Sequence, residues 1–375
     1  MTDTLIKNAR LVNEGTIMQG DLLISGQRIA RINTDIAAVS ARVIDAMGRH
    51  LMPGMIDDQV HFREPGVTYK ADIATESRAA LAGGITSFME MPNTNPQTVN
   101  LDALEAKFAL AAGKAWGNYA FYLGGTNDNV EQIRRLGPNQ TCGIKVFMGA
   151  STGNMLVDDP EILEQIFRDA PTLIATHCED TPTILANEEK YRAEYGEQIP
   201  MRFHPLIRSE EACWKSSSFA VELAQRHGTR LHVLHLTTAR DLELFQTGPA
   251  ADKQISAEAC VHHLYFDEQD YAEKGSFIKC NPAIKTREDR LALQQALVAD
   301  RLDLIGTDHA PHTLEEKQQE SYFKAPAGLP LVQHAVPMVL ELVHDEVMSL
   351  EQAVHKMCHA PAEIFKLQER GYLRE

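Results

Sequence analysis

The chain has 375 residues, of which 44% are hydrophobic and 23% are charged, and its formal net charge is −16. This composition is typical of a globular protein, and the acidic balance argues against nucleic acid or an anionic membrane as a partner. The sequence has no apolar run near the ~18 residues of a membrane span, and its first residues lack a signal-peptide pattern. Six scattered cysteines without a Cys-x-x-Cys pair predict reduced thiols and a cytoplasmic protein.

Residues 1–50 are predicted to form a small β module. Short strand-like runs at 5–12, 21–24 and 28–32 are separated by the glycines and polar residues of turns. After this segment the sequence changes from short strands to alternating strands and helices, so we place a domain boundary near residue 50.

Residues 51–375 are predicted to form an α/β domain, a (β/α)8 TIM-like barrel. Apolar strands alternate here with amphipathic helices, which indicates a parallel sheet. The predicted helices include 101–115, 129–136, 160–168 and 217–227. The predicted strands, whose number closes such a barrel, are 52–61, 85–90, 118–122, 143–149, 172–177, 230–236, 255–261 and 302–307. A doubly wound open sheet is the alternative, but no strand is followed by Gly-x-Gly-x-x-Gly.

Chemically active side chains cluster where the predicted strands end, which is the active-site face of a barrel. Imidazole and carboxylate groups there suit a zinc-type metal, and a guanidinium suits a carboxylate ligand. A lysine inside an apolar strand is costly unless it is paired or chemically altered. These groups predict an enzyme with a metal site beside an anion clamp. The strand-end residues are Gln59, His61, Arg63, Asn93, Lys145, His177, His235, Asp308 and His312.

Several of these residues belong to short segments that together resemble the amidohydrolase superfamily and, within it, the dihydroorotase family. The likeness covers nearly the whole chain, and although each segment is weak alone, the ordered set is highly specific. The segments are HFREPG at 61–66, MPNT at 91–94, GIK at 143–145, SAE at 256–258, NP at 281–282 and TDHAPH at 307–312.

The resemblance implies a metal-dependent hydrolase domain with one or two zinc ions. His61 and Asp308 would bind the more buried ion, and His177 and His235 the second. Lys145, carboxylated by carbon dioxide, would bridge them, which also accounts for a lysine within an apolar strand.

The resemblance also implies the reaction, the reversible conversion of dihydroorotate to N-carbamoyl-aspartate in pyrimidine biosynthesis. A metal-activated water would attack the ring amide, and Asp308 would carry its proton to the leaving nitrogen. Arg63 and Asn93 would hold the substrate carboxylate, while Asn281 and His312 would contact the ring. A homodimer and an aspartate carbamoyltransferase partner are further expectations.

Gln59 departs from the family pattern, which has histidine at this position. Amide oxygen is a weaker zinc ligand than imidazole, so Gln59 either ligates through its oxygen or leaves a site with one metal. A non-catalytic scaffold subunit is the other interpretation; we favour catalysis because the remaining predicted ligands are retained. A related hydrolase of hydantoins, dihydropyrimidines or allantoin is a further alternative, although simple hydantoins and dihydropyrimidines lack the carboxylate that Arg63 would bind.

Three further segments carry weaker predictions. Residues 324–330 are expected to line the substrate site, and the polar loop 151–154 either covers it or is plain surface. His262 and His263 are interpreted as structural. The family usually continues beyond residue 375 with strands that complete the N-terminal module, so we expect this completion to be missing here.

Overall fold

The computed structural model describes residues 3–37, 40–149 and 155–375, so the predicted loop 151–154 lies outside the described residues. The strands are β1 (Thr4–Asn13), β2 (Thr16–Ser25), β3 (Arg28–Asn33), β4 (Arg42–Asp45), β5 (His50–Leu51), β6 (Met55–Val60), β7 (Ile85–Glu90), β8 (Asn118–Phe121), β9 (Leu123–Gly124), β10 (Ile144–Phe147), β11 (Ile174–His177), β12 (Leu231–Val233), β13 (Ile255–Cys260) and β14 (Leu304–Gly306).

The α-helices alternate with the later strands, and a π-helical turn (His355–His359) precedes the last of them. They are α1 (Ile73–Ala82), α2 (Leu101–Ala111), α3 (Val130–Arg134), α4 (Pro160–Asp169), α5 (Thr181–Tyr195), α6 (His204–Ile207), α7 (Glu210–His227), α8 (Val261–Tyr265), α9 (Tyr271–Lys274), α10 (Arg287–Val298), α11 (Leu314–Lys317), α12 (Ala335–His344), α13 (Leu350–Val354) and α14 (Ala360–Ile364). No helix in the described ranges is both long and apolar enough to cross a membrane.

The N-terminal strands form a separate sheet in the order β3-β2-β1-β4, with β5 also paired to β1. Strands β1, β2 and β3 are antiparallel neighbours, whereas β4 and β5 run parallel to β1. Leu11, Leu22 and Leu373 pack in the small core of this sheet. Strand β4 was not predicted because its four residues are all exposed and carry no alternating apolar pattern.

The strands from β6 onward form the predicted parallel barrel. Two hydrogen-bonded runs, β6-β7-β8 and β9-β10-β11-β12-β13-β14, share the third strand of the barrel, which is interrupted at Tyr122 between β8 and β9. The barrel closes where the backbone N–H of His61 donates to His309 O at 2.7 Å, beside a parallel bridge between Val60 and His309. In the described residues this gives eight barrel strands, so the predicted fold class is confirmed.

Helix α7 begins seven residues before the predicted start at Ser217, at Glu210. Ser209 caps it, because its side chain accepts a hydrogen bond from the Ala212 N–H, and acidic residues fill the first turn. Helix α2 ends at Ala111, before the predicted 115, because Gly113 takes a positive φ of 77°.

Candidate active site

A cavity of about 270 Å³ opens at the carboxyl ends of the barrel strands. Every residue that the sequence suggested for metal or substrate binding lies in its wall, although the individual roles stay predictions. Phe147 and Ala310 also line it and were not predicted. The lining residues are Gln59, His61, Arg63, Asn93, Lys145, Phe147, His177, His235, Asn281, Asp308, Ala310, His312, Pro326, Ala327 and Gly328.

Three of the cavity residues have left-handed backbone conformations. The φ angles of Arg63, His235 and Asp308 are 66°, 41° and 48°. His235 and Asp308 also lie two residues beyond the ends of β12 and β14, whereas the sequence predicted His235 within the strand 230–236 and Asp308 directly after the strand 302–307. Such conformations cost about 1–3 kcal/mol each and cluster at functional sites, where the surrounding structure holds them.

The two histidines predicted for one metal face each other. His177 Nδ1 lies 3.0 Å from His235 Nε2, and His177 Nε2 lies 2.9 Å from Glu179 Oε2. Because a carboxylate only accepts, the proton of His177 is on Nε2 and its Nδ1 lone pair points into the cavity. Burial lowers the pKa of both imidazoles, so they are neutral and able to ligate at neutral pH.

Glu179 was not predicted from the sequence to belong to the site. It is fully buried and forms an ion pair with Arg208. Burial acts to raise the pKa of Glu179, but the Arg208 charge and the His177 hydrogen bond outweigh it and lower this pKa to about 2. Its position two residues after His177, on the same side of an extended chain, was the available signal.

We expect Glu179→Gln to weaken zinc binding by about 10- to 100-fold, because a carboxylate that orients a ligating histidine contributes that much to affinity. Competition with a chromophoric chelator measures this directly, without relying on turnover. Glu164→Gln is the matched control. Glu164 also pairs with a histidine, His227, at 2.8 Å, but this pair does not line the cavity. An unchanged zinc affinity in Glu179→Gln would contradict the positioning role.

His61 and Asp308 form a second pair of facing ligands. His61 Nδ1 lies 2.8 Å from Asn93 Oδ1, which leaves Nε2 unprotonated in the neutral ring, 3.1 Å from Asp308 Oδ1. Burial lowers the pKa of His61. Burial acts to raise the pKa of Asp308, but the hydrogen bond and charge of a protonated His61 outweigh it and hold that pKa below its ordinary value. While the His61 ring is neutral, two acceptors face each other, an arrangement that a proton or a metal cation stabilises.

Lys145 lines the same cavity and is 1% exposed, with its amine 4.6 Å from the centre of the Phe147 ring. Among the described residues no carboxylate forms an ion pair with it, and burial lowers its pKa to about 8. About a tenth of such amines are neutral at pH 7, and the neutral form is the one that carbon dioxide can modify.

The donor set fits a divalent metal. His235 Nδ1 is buried without a hydrogen-bond partner among the described residues, and Nε2 of a neutral His61 faces Asp308 Oδ1 at 3.1 Å. His61, Asp308, His177, His235 and a modified Lys145 are the residues that would hold it.

Gln59 directs its amide nitrogen toward Asp308. Its Nε2 donates to Asp308 Oδ1 at 3.0 Å, while its Oε1 lies 3.8 Å from Cys260 Sγ. A hydrogen-bond donor in this position orients the carboxylate and adds no metal ligand. Ligation through the Gln59 oxygen would require the amide to turn over.

Zinc titration of the metal-free protein is therefore expected to show one tight event at the His177–His235 pair and a weak or absent second event. Gln59→His should raise the zinc content toward two per chain, because imidazole replaces a neutral amide at the weaker site. Gln59→Leu, which also removes the amide but supplies no ligand, should not. Two equally tight ions in the unaltered protein would contradict this ranking.

Arg63 and His312 form the polar side of the cavity. Arg63 Nε donates to Pro311 O at 3.0 Å, and Lys70 Nζ lies 2.9 Å from His312 Nδ1. Since Lys70 only donates, the His312 proton is on Nε2, which lies 2.9 Å from Ala327 O. Burial, with the neighbouring Arg63 and Lys70 charges, lowers the His312 pKa to about 3, so the ring is neutral.

The segment predicted to line the substrate site does so through Pro326, Ala327 and Gly328. The buried amine of Lys317 donates to the Pro326 and Gly328 carbonyls, both at 3.0 Å, and so fixes the segment. A side chain at position 328 would meet Ala310 O at 2.4 Å, so this position requires glycine.

His262 and His263, which the sequence reading treated as structural, lie buried on α8 and do not line the cavity. Their donor atoms and that of Cys260 lie within 4.8 Å of one another. His263 Nε2 lies 3.1 Å from Pro282 O.

Comparisons with known proteins show the family and the fold of this chain. The model of the amidohydrolase family matches residues 50–375. An L-hydantoinase of Paenarthrobacter aurescens is 30% identical over 100% of this chain and 83% of its own length. A dihydroorotase of Bacillus cytotoxicus is 32% identical over 99% of this chain and 86% of its own. The solved structure of an L-hydantoinase (dihydropyrimidinase) from Arthrobacter aurescens superposes with a TM-score of 0.93 at 29% identity, covering 100% and 85% of the two chains.

Proposed function

Since this chain belongs to the amidohydrolase family, we propose that its cavity interconverts dihydroorotate and N-carbamoyl-aspartate. The family, together with relatives that are named either hydantoinase or dihydroorotase, indicates that the chain is a metal-dependent hydrolase of cyclic amides. The finer assignment, a zinc-dependent dihydroorotase with a carboxylated Lys145, rests on the polar side of the cavity.

The observation that carries the assignment is a guanidinium with unused donors. Arg63 forms no ion pair with a carboxylate in the part of the chain that the structure describes. Its NH2 nitrogen lies 3.2 Å from His312 Nε2, but that nitrogen already carries a proton, so the two donors cannot bond. A partly buried cation of this kind needs an anion. The ring carboxylate of dihydroorotate supplies one.

Two asparagines complete the match to a carboxylated cyclic amide. Asn93 accepts from His61 through Oδ1, which leaves its Nδ2 donors for the substrate carboxylate. Asn281 Oδ1 is buried without a partner among the described residues and can accept from a ring N–H. Arg63 and Asn93 would fix the carboxylate, and Asn281 would fix the ring orientation.

The bound metal supplies an activated water and a polarised carbonyl. Asp308, ionised because its pKa is low, accepts a proton at its carboxylate and returns it to the leaving ring nitrogen. Gln59, which donates to the Asp308 carboxylate, holds it in place for this transfer.

A hydantoinase is the second candidate, favoured by the close structural match to an L-hydantoinase. The test compares kcat/KM for dihydroorotate, hydantoin and dihydrouracil in the zinc-loaded protein. We expect dihydroorotate to be preferred by at least about 30-fold, the lower end for a buried charge pair. Faster turnover of hydantoin would overturn the assignment. If the protein took up no zinc and turned over none of the three substrates, the scaffold interpretation would be favoured.

A homodimer, an aspartate carbamoyltransferase partner and a cytoplasmic location belong to the same proposal. They follow from the resemblance and the composition, not from contacts of the single chain. Light scattering of the purified protein, alone and mixed with the transferase, tests the two assemblies.

A further inference from the structure

A second group of ligand-type side chains lies inside the barrel and does not line the cavity. Asp58 on β6, His232 on β12 and Glu258 on β13 are each 0% exposed. One ligand atom from each falls within 4.8 Å of the others. The proposed reaction uses none of the three.

The polar atoms of this group converge without hydrogen bonds. His232 Nε2 lies 3.4 Å from Asp58 Oδ2 and 3.7 Å from Glu258 Oε2, which is longer than a charged hydrogen bond. In the described residues these three atoms and Asp58 Oδ1 have no hydrogen-bond partner. Orphaned groups of this kind are rare inside proteins and call for an unseen partner.

The ring orientation of His232 directs Nε2 to the same point. Ser256 Oγ donates to Leu231 O at 3.3 Å, so it accepts from His232 Nδ1 at 2.8 Å. With that proton on Nδ1, Nε2 is the atom that faces the two carboxylates. Burial acts to lower the pKa of His232, but Asp58 and Glu258 outweigh it and raise that pKa to about 9, so a proton occupies Nε2 unless a metal ion displaces it. No lysine or arginine of the described chain forms an ion pair with either acid.

The spacing of the three groups suits a metal ion. Ligands about 2.1 Å from a tetrahedral zinc lie about 3.4 Å apart, close to the two distances from His232. Gly306 keeps the space open, because a side-chain carbon there would lie 2.6 Å from Glu258 Oε2 and 3.2 Å from Asp58 Oδ1. A divalent charge would balance the two carboxylates.

We propose that Asp58, His232 and Glu258 bind a structural divalent cation of the zinc type, separate from the catalytic centre. One imidazole and two carboxylates are a donor set for zinc, manganese or iron(II). The ion ties β6 to β12 and β13. Glu258 also accepts from the His235 N–H at 3.0 Å, so the ion steadies a strand end that carries a predicted catalytic ligand.

Anomalous diffraction at the zinc edge from crystals of the unaltered, zinc-loaded protein tests the site directly. The expected result is a peak between the three side chains, in addition to any peak in the cavity. Ordered water or empty density there would overturn the proposal, and a cluster neutralised by shared protons would give the same negative result.

Metal analysis in solution separates this ion from the catalytic one. The double variant His61→Asn/His177→Asn disables the cavity and is expected to keep one ion per chain. Adding Asp58→Asn or Glu258→Gln should remove it and make Tm insensitive to chelator. Asp303→Asn is the control, because that buried acid is already paired with Lys253 at 2.6 Å and should retain the ion. A folded double variant without metal would overturn the proposal, whatever the activity of the unaltered enzyme.

Discussion

Lys145→Ala is expected to lower the turnover of dihydroorotate by at least about 1000-fold, a loss of about 4 kcal/mol in transition-state stabilisation. The buried amine has no acidic ion-pair partner among the described residues, and its modified form would supply the negative charge that joins the two ligand pairs. Steady-state kinetics of the zinc-loaded variant measure the loss. Intact-mass analysis of the unaltered protein should show the added mass of one carbon dioxide.

Chemical rescue distinguishes a lost ligand from a damaged fold. Short carboxylic acids with added zinc should partly restore Lys145→Ala, because the deleted side chain leaves room for them, and should not restore Lys145→Arg, which fills that room. Full activity of Lys145→Ala without additives would refute the bridging role.

The pH dependence of modification follows from the lowered pKa of Lys145. Because that pKa is about 8, the neutral amine fraction increases as the pH rises from 7 through 8. Reactivation of decarboxylated enzyme by bicarbonate and zinc, at a fixed concentration of dissolved carbon dioxide, should accelerate over this range.

Arg63→Met is expected to reduce kcat/KM for dihydroorotate by about 2–5 kcal/mol, or about 30- to 4000-fold, because a desolvated carboxylate would lose its charged partner. Hydantoin has no carboxylate, so any turnover of it should fall far less. Kinetics of the unaltered protein and of Arg63→Met on both substrates give the loss in kcat/KM for dihydroorotate relative to the loss for hydantoin.

Lys114→Met is the matched control for this substitution. Lys114 pairs with Glu64 outside the cavity and is 44% exposed at its side chain, so its loss should leave both activities unchanged. Equal losses on both substrates in Arg63→Met would indicate a structural role for the arginine. Intact dihydroorotate activity would refute the clamp.

The structure narrows the interpretation of Gln59. The sequence left three outcomes open, and the orientation of the amide toward Asp308 favours a carboxylate-positioning role over metal ligation. Such a role is compatible with catalysis at a centre with one strongly bound metal, which is the outcome that the zinc titration examines.

The fold class and the family could both be predicted from the sequence alone. Apolar runs of strand length recur between amphipathic helices, and this local periodicity depends only on neighbouring residues. The position of a polar residue at a strand end is local as well, which is why His61, Lys145 and His177 could be predicted to share a face. The start of α7 was predicted wrongly, because several polar residues near Ser209 could equally well cap a helix.

Which atoms of those side chains meet could not be predicted from the sequence and became clear from the folded structure. Gln59 donates to Asp308, 249 residues away, and Arg63 donates to the Pro311 carbonyl, 248 residues away, and no local pattern specifies such contacts. The tautomer of His312 depends on contacts with Lys70 and Ala327, and the orphaned atoms of Asp58 depend on strands that meet only when the barrel closes. Periodicity fixes the direction of a side chain along its own strand, whereas hydrogen bonds and charge balance arise from strands brought together by folding.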